Sequence, residues 1–558
     1  MIFLKRHKRN GADILVECLL AEGVDVVFGY PGGQVLEIYN ALYWNRKKIR
    51  HILTAHEQGA AHAADGYARA SGKVGVVIAT SGPGASNLVT GIATAYLDSV
   101  PMVAICGNVD TNQIGRDSFQ ELDIADITMP ITKHNYIVRD VKDLGRILRE
   151  AFHIARSGRK GPVLVDIPGD VQAAVCDLPI PDPPEERKFV PELSLMRQIS
   201  DAASIIGEAE RPLIYCGGGV VSAGVGEMIR ELSEKLDAPV GCSLMGLSAV
   251  DDAFYYNLGL TGIYGREYAS EAVTKADVIV AVGARFTDRA TGSMGEYVSG
   301  AKIVQLDIDP AEVDKNVHDA AYVIGDLRVT LRMLIDSLEK TTHKEWMAGV
   351  DSLRYQAPKH NRENFDPENI IKLVSDYTSG WIVVTDVGQH QMWAARYYPV
   401  SGERSFITSG GLGTMGFGMG AAVGAGLSTG KKVVLFTGDG SFGMNLIELA
   451  TAVTYKIPLI VIIMNNFSLG MVKQAQKELF GRDYQTDMFV RRTDFQKLAV
   501  AFGAKGFRVS DLGGLRDAIC ESVRYFDRGR VSVIDCRMLD DFTVSRYEPE
   551  KKGEKDGK

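Results

Sequence analysis

Short continuous apolar runs alternate along the chain with stretches whose apolar positions recur at helical spacing. Near the start, Ile14, Leu15, Cys18 and Leu19 share one helical face before an apolar run at 24–28, which ends in Pro31-Gly32-Gly33. A Pro-Gly-Gly turn at a strand end lets backbone amides approach a ligand closely. Further runs at 161–168, 212–216, 278–282, 303–307 and 381–386 read as strands, most of them leading into a glycine turn. Strands alternating with helical segments predict an α/β protein with parallel sheets.

The segment 433–466 carries the pattern most fully. An apolar run to Phe436 precedes the break Gly438-Asp439-Gly440, a 3.6-period stretch continues through Ala452, and a second run at 459–464 ends at Asn465-Asn466. This is one strand-helix-strand unit with polar groups at the carboxyl ends of both strands, the edge at which open α/β sheets bind ligands. Asp439 and Asn466 both fall there. A hard cation such as Mg²⁺ accepts a carboxylate, an amide oxygen and a backbone carbonyl, and takes further ligands from phosphate. The unit therefore reads as a holder for a metal-bound diphosphate.

The chain also repeats itself. Residues 76–108 align without a gap to 433–465 at a constant offset of 357, with Thr80/Thr437, Ala93/Ala450, Thr94/Thr451, Pro101/Pro458 and Asn108/Asn465 identical. Gly82 stands where the second copy has Asp439, so only one copy can hold the metal. Expected boundaries are an amino-terminal domain at 10–176, a central domain at 192–335, a carboxyl-terminal domain at 365–545 and a charged tail at 546–558. The fold expected is three doubly wound parallel-sheet domains, the first and third related by internal duplication and the middle one nucleotide-binding-like. A proline-rich stretch at 177–191 is read as the linker after the first domain.

Composition narrows this little. At 558 residues the chain exceeds one core, and roughly 150 residues per domain allows three or four. A net charge of −8 leaves no basic footprint for nucleic acid, and no apolar run is long enough for a membrane span. Seven cysteines without a CxxC pair predict buried thiols in a reducing cytoplasm.

GDG followed by NN at this spacing resembles the thiamine-diphosphate-binding fold of the thiamine-diphosphate enzymes. The resemblance covers almost the whole chain and is strongest to the acetohydroxyacid synthase (acetolactate synthase) catalytic-subunit family. It is carried by FGYPGG, HEQGAAHAADGYARASG, IGRDSFQE, VGARFTDRATG, DVGQHQMWAA and SGGLGTMGFG. It implies that Asp439, Asn466 and the Ser468 carbonyl hold Mg²⁺, and that Glu57 serves the aminopyrimidine ring of thiamine diphosphate as part of the acid–base machinery. Gly388, Gln389 and His390 would contact the diphosphate, with Gly438, Gly440 and Ser441 beside the metal. Gly413 and Met415 would support the cofactor rings, and Gly470 and Met471 would close over it. Pro31 and Gly32 complete the cofactor set, while Gly33, Phe119 and Gln120 would line the substrate space.

The same resemblance implies FAD, held without a redox role by Arg159, Gly217, Gly218, Gly283, Ala284, Arg285, Asp307 and Asp326. It implies a transferase that decarboxylates pyruvate and joins the two-carbon unit to a second 2-keto acid, in branched-chain amino acid biosynthesis. A homodimer or homotetramer with the site at the subunit interface and a small regulatory subunit are implied too. Gly169, Asp110, Gln34, Thr261 and Ala475 stand where the family usually has Lys, Pro, Ala, His and Trp, which leaves open a related carboligase or lyase with another acceptor. A non-catalytic cofactor-binding partner and a flavin-dependent pyruvate oxidase are the remaining alternatives.

Overall fold

In the computed structural model, residues 8–184, 192–292, 298, 300–356, 360–482, 486, 493–526, 529–539 and 542–547 are described. The strands of the first sheet are β1 (Val26–Tyr30), β2 (Arg50–Leu53), β3 (Gly75–Ala79), β4 (Met102–Asn108), β5 (His134–Ile137) and β6 (Pro162–Pro168). The second contains β7 (Pro212–Cys216), β8 (Val240–Cys242), β9 (Asn257–Leu260), β10 (Val278–Val282), β11 (Lys302–Asp307) and β12 (Ala321–Ile324). The third contains β13 (Ile382–Thr385), β14 (Phe406–Ile407), β15 (Val433–Gly438), β16 (Leu459–Asn465), β17 (Lys505–Val509) and β18 (Ser532–Arg537). All pairings in the three sheets are parallel. Helices cover both faces, so β3, β4, β6, β15 and β16 are buried along their whole length and read as unbroken apolar runs rather than alternating ones.

The first sheet runs β2-β1-β3-β4-β6-β5 and the third β14-β13-β15-β16-β18-β17. Numbered within each domain these orders are identical, as an internal duplication requires. The middle sheet runs β12-β11-β10-β7-β8-β9, the 3-2-1-4-5-6 order of doubly wound dinucleotide folds when numbered within the domain. Its order reverses between β7 and β10, and there the backbones approach too closely for side chains. A Cβ on Gly217 would lie 2.0 Å from the Gly283 carbonyl oxygen.

Local differences from the sequence pattern have physical causes. The first strand lies two residues later than the apolar run, at 26–30, where it can pair with β2 and β3. The helix after Gly438 is broken into Asp439–Asn445 and Glu448–Thr454, an interruption that periodicity alone did not show. Residues 185–191 of the expected linker and 548–558 of the expected tail lie outside the described residues.

The duplicated domains meet through helices Glu57–Ser71 and Phe417–Thr429. Their contact is backbone to backbone: a Cβ on Gly424 would stand 1.8 Å from the Ala63 carbonyl oxygen, and one on Gly66 2.2 Å from that of Ala421. Small residues are therefore obligatory at the crossing, and the alanine-rich stretch 57–71 packs by proximity rather than by side-chain bulk. Gly424→Ala should push the helices apart and lower resistance to denaturant by about 1–3 kcal/mol, the usual cost of overpacking; unchanged unfolding would show that the crossing yields freely.

Candidate active site

In the carboxyl-terminal copy, β15 and β16 are in register with Gly438 opposite Met464, so Asp439 and Asn466 emerge side by side at the sheet's carboxyl edge. The Asn466 backbone amide donates to the Asp439 carboxylate, as does that of Gly440. Asp439 is 6% exposed, and burial, with Asp535 nearby, pushes its carboxyl up to about 7. A cation at this carboxylate would offset the burial cost. Asn466 is oriented by two bonds: its Nδ2 donates to Gln389 Oε1 at 3.2 Å, and its Oδ1 accepts from the Ser468 amide at 3.2 Å.

The neighbouring strand end supplies Gly388, Gln389 and His390. Gln389 Nε2 reaches the Phe542 carbonyl at 3.0 Å, and Gly470 lies so close that a Cβ there would sit 1.9 Å from Gln389 Oε1. The His390 ring is buried and held at the Asp386 backbone, and burial lowers its pKa to about 3, so it stays neutral. Its Nε2 is buried with no partner among the described residues. Met415 is half-buried between Gly413 and Gly416. The Gly416 amide donates to Asp386 Oδ1 at 2.9 Å and to Ser441 Oγ at 3.1 Å, tying the Met415 turn to both β13 and β15.

The amino-terminal copy carries a different set at the equivalent edge. Glu57 begins the crossing helix, and its Oε2 accepts from Asn87 Nδ2 at 3.0 Å. Gly82, at the position of Asp439, packs under the Gln120 backbone, which a Cβ would approach to 2.8 Å. Thr80 Oγ1 accepts from the Gln34 amide at 3.2 Å and thus fixes the loop of Pro31, Gly32 and Gly33. Gly33 faces open space, with nothing within 4 Å of a Cβ built there. Gln120 is thus brought to the Glu57 edge, whereas the Phe119 side chain is 85% exposed and touches solvent rather than the site of its own chain.

The middle-domain residues gather less evenly. Gly217, Gly218, Gly283, Ala284 and Arg285 lie at the strand-order reversal, and the Gly219 amide donates to the Gly283 carbonyl at 3.0 Å. Asp307 ends β11, and Asp326 caps helix Leu327–Ser337 beyond the edge strand β12. Arg159 crosses from the first domain to Asp309 at 3.1 Å and Glu312 at 2.9 Å. Of the positions that depart from the family pattern, three lie together: a Cβ on Gly169 would be 2.9 Å from Asp110 Oδ1 and 3.1 Å from Gln34 Oε1.

Sequence reasoning missed several buried groups. Asn465 Nδ2 donates to Asp535 Oδ1 at 2.8 Å, and the equivalent Asn108 donates to Asp166 Oδ2 at 2.5 Å. The first asparagine of the pair Asn465-Asn466 is therefore structural and only the second faces the site. The repeated Asn108/Asn465 identity was a visible signal, but its acidic partners are too far along the chain to be seen. Asp386 gave no signal beyond ending a strand. All seven cysteines are free, and Cys216 lies opposite Cys242 on neighbouring strands. No described helix is long and apolar enough to cross a membrane.

Known proteins match this chain over most of its length. The family described as thiamine pyrophosphate enzyme matches in three parts: the N-terminal TPP binding domain at 9–127, the central domain at 199–334 and the C-terminal TPP binding domain at 386–536. The chain is 45% identical over 520 residues to an acetolactate synthase large subunit of Parasynechococcus marenigrum (strain WH8102), covering 90% of this chain and 84% of that one. It is 41% identical over 541 residues to the acetolactate synthase isozyme 3 large subunit of Escherichia coli (strain K12), covering 94% of each. A probable acetolactate synthase large subunit of Methanococcus aeolicus is 42% identical over 540 residues, covering 92% of this chain and 90% of that one.

The raised Asp439 pKa has a sign that can be measured. Because the folded value near 7 lies above the unfolded 3.8, ionising this group costs stability as pH rises from about 4 to 7, and the full cost persists above that. Without divalent cations, Asp439→Asn should melt at a higher temperature than the parent at pH 8 and at a similar one near pH 4; calorimetric scans at both pH values check it.

Proposed function

The chain belongs to the thiamine pyrophosphate enzymes, within the acetolactate synthase large-subunit group, and on that premise we propose that it joins the two-carbon unit of pyruvate to a second 2-keto acid. The observation that carries the reading is the division of labour between duplicated edges: Asp439 meets Asn466 in one copy, while the other has Gly82 at that position and offers Glu57 instead.

Bound thiamine diphosphate supplies an acidic carbon and an electron sink for decarboxylation. The Asp439 carboxylate, the Asn466 amide and the Ser468 carbonyl would hold Mg²⁺, an all-oxygen set suited to that ion. His390, neutral and with Nε2 unpartnered among the described residues, and Gln389 face the diphosphate position. Gly438, Gly440, Ser441, Gly470 and Met471 shape its walls, and Gly413 and Met415 support the rings. Glu57 would exchange a proton with the aminopyrimidine nitrogen, with Asn87 fixing its carboxylate.

A second copy of the chain would complete the site. Tyr30, Leu36 and Leu53 beside the Glu57 edge and Leu412, Met444 and Ile447 beside the metal edge are exposed apolar side chains in the single chain. Burying both sets against each other would bring Phe119 into a substrate space with Gly33 and Gln120. Some relatives are named large subunits, which supports a small regulatory partner. FAD would lie at the strand-order reversal of the middle sheet, against Gly217, Gly218, Gly283 and Ala284, with Arg159, Arg285, Asp307 and Asp326 around it. The cluster of Gly169, Asp110 and Gln34 places a carboxylate beside the loop that precedes the substrate space, which favours an altered acceptor as the second reading.

Incubation with pyruvate, thiamine diphosphate and Mg²⁺ should yield acetolactate by mass spectrometry, and Glu57→Gln should slow it by about 10²–10⁴-fold. Absence of any carboligation product would refute the reading. With pyruvate and 2-ketobutyrate offered together, preference for 2-ketobutyrate should be weak, because Ala475 leaves out a large indole surface. Predominant acetohydroxybutyrate would contradict this, whereas Ala475→Trp should raise that share.

A further inference from the structure

Two short backbone segments lead into site residues: 53–56 runs into Glu57, and 410–413 runs into Met415. Each lies between the second strand and the crossing helix of its own domain, and each is gripped by side chains of the opposite domain. Glu448 accepts from the Ala55 amide at 3.2 Å and the His56 amide at 3.0 Å. Thr451 Oγ1 donates to Glu448 Oε2 at 2.6 Å, and the Leu53 amide donates to the Tyr455 hydroxyl at 2.8 Å. On the other side, Asp98 accepts from the Gly411 amide at 2.6 Å, the Gly410 amide at 3.2 Å and Arg69 Nη2 at 2.8 Å. Thr94 and Thr414 hydroxyls meet at 2.8 Å.

The two grips correspond. Thr94 and Thr451 are the same position of the repeat, as are Asp98 and Tyr455. Thr94 and Asp98, four residues apart, lie on one side of helix Val89–Leu97 and its end. Glu448 is 1% exposed and the Asp98 side chain 0%. Buried carboxylates each accepting two successive amides leave their loops little freedom. Glu448 also abuts the start of the crossing helix, since a Cβ on Gly59 would be 2.1 Å from its Oε1.

We propose that Glu448 and Asp98 are reciprocal positioning residues, Glu448 setting the placement of Glu57 and Asp98 setting the loop that carries Gly413 and Met415. The proposal rests on the thiamine diphosphate reading. Neither carboxylate touches the reacting atoms; each acts through the backbone it holds. Glu448→Gln and Asp98→Asn keep the side-chain shapes but remove the negative charge and one acceptor oxygen from each grip, an oxygen that at Glu448 meets the Ala55 amide and at Asp98 the Gly410 amide and the Arg69 guanidinium.

The full-length protein loaded with thiamine diphosphate and Mg²⁺ gives two readouts besides turnover: cofactor affinity by calorimetry, and exchange of the cofactor's thiazolium C2 proton for deuterium, read by NMR after acid quench. Glu448→Gln should slow the exchange by about 10²-fold, as expected for misplacing a proton-transfer group by an ångström, while affinity stays within about twofold. Asp98→Asn should weaken cofactor affinity by about tenfold with exchange near the parent rate at saturation. Should Glu448→Gln fold poorly, Thr451→Val, which deletes the 2.6 Å bond to Glu448, should slow exchange in the same direction but less. Saturated variants that exchange and bind as the parent does overturn the proposal. A parent protein that takes up no thiamine diphosphate overturns the functional reading instead, and this proposal with it.

Discussion

The whole arrangement depends on how closely helices Glu57–Ser71 and Phe417–Thr429 approach. Carbonyl oxygens of one stand where side chains of the other would begin, so no residue larger than glycine fits at 66 or 424 without movement. Each helix also starts at a residue of the candidate site: Glu57 opens the first, and Met415 lies just before the second. A crossing at backbone contact therefore converts the relation between two domains into a fixed relation between the Glu57 carboxylate and the Met415 turn. The buried ion pairs of Arg69 with Asp65 and Asp98 reinforce it, because Arg69 also donates to the Thr408 carbonyl across the domain boundary.

The duplication explains how one fold came to carry two unlike edges. Identical strand order and a shared buried Asn–Asp pair, Asn108 with Asp166 and Asn465 with Asp535, keep the scaffolds alike. The departures fall at the carboxyl edge, where Asp439 in one copy is matched by Gly82 in the other. Removing that carboxylate frees the space into which the Gln120 backbone packs. The middle domain follows a separate strand order; Arg159 and Arg285, which donates to the Leu97 carbonyl at 2.9 Å, tie it to the first domain, and Arg266, whose Nε donates to the Arg396 carbonyl at 3.0 Å, ties it to the third.

Much of this was legible along the chain because the signals were local. Continuous apolar runs mark strands covered on both faces, and glycine breaks mark their carboxyl ends, so the three sheets and the Asp439 and Asn466 positions could be read directly. The repeat disclosed the shared ancestry of the outer domains. Contacts that depend on tertiary closure were hidden: Glu448 reads as an ordinary helix-start carboxylate, Asp98 as a helix-end residue and Asp535 as part of a strand. The adjacency of Gly169, Asp110 and Gln34 was equally invisible, since more than a hundred residues separate Gln34 from Gly169. Phe119 shows the converse limit, a residue marked by its motif that stays largely exposed among the described residues.

The glycine-to-carbonyl crossing also constrains the history of the molecule. A descendant that enlarged residue 424 would have to shift the backbone around residue 63, because the atom in the way is a main-chain carbonyl, although the two positions lie in separate halves of the gene product. The twin halves are thereby obliged to drift in concert along that seam, while their outer rims remain at liberty to acquire unlike chemistries.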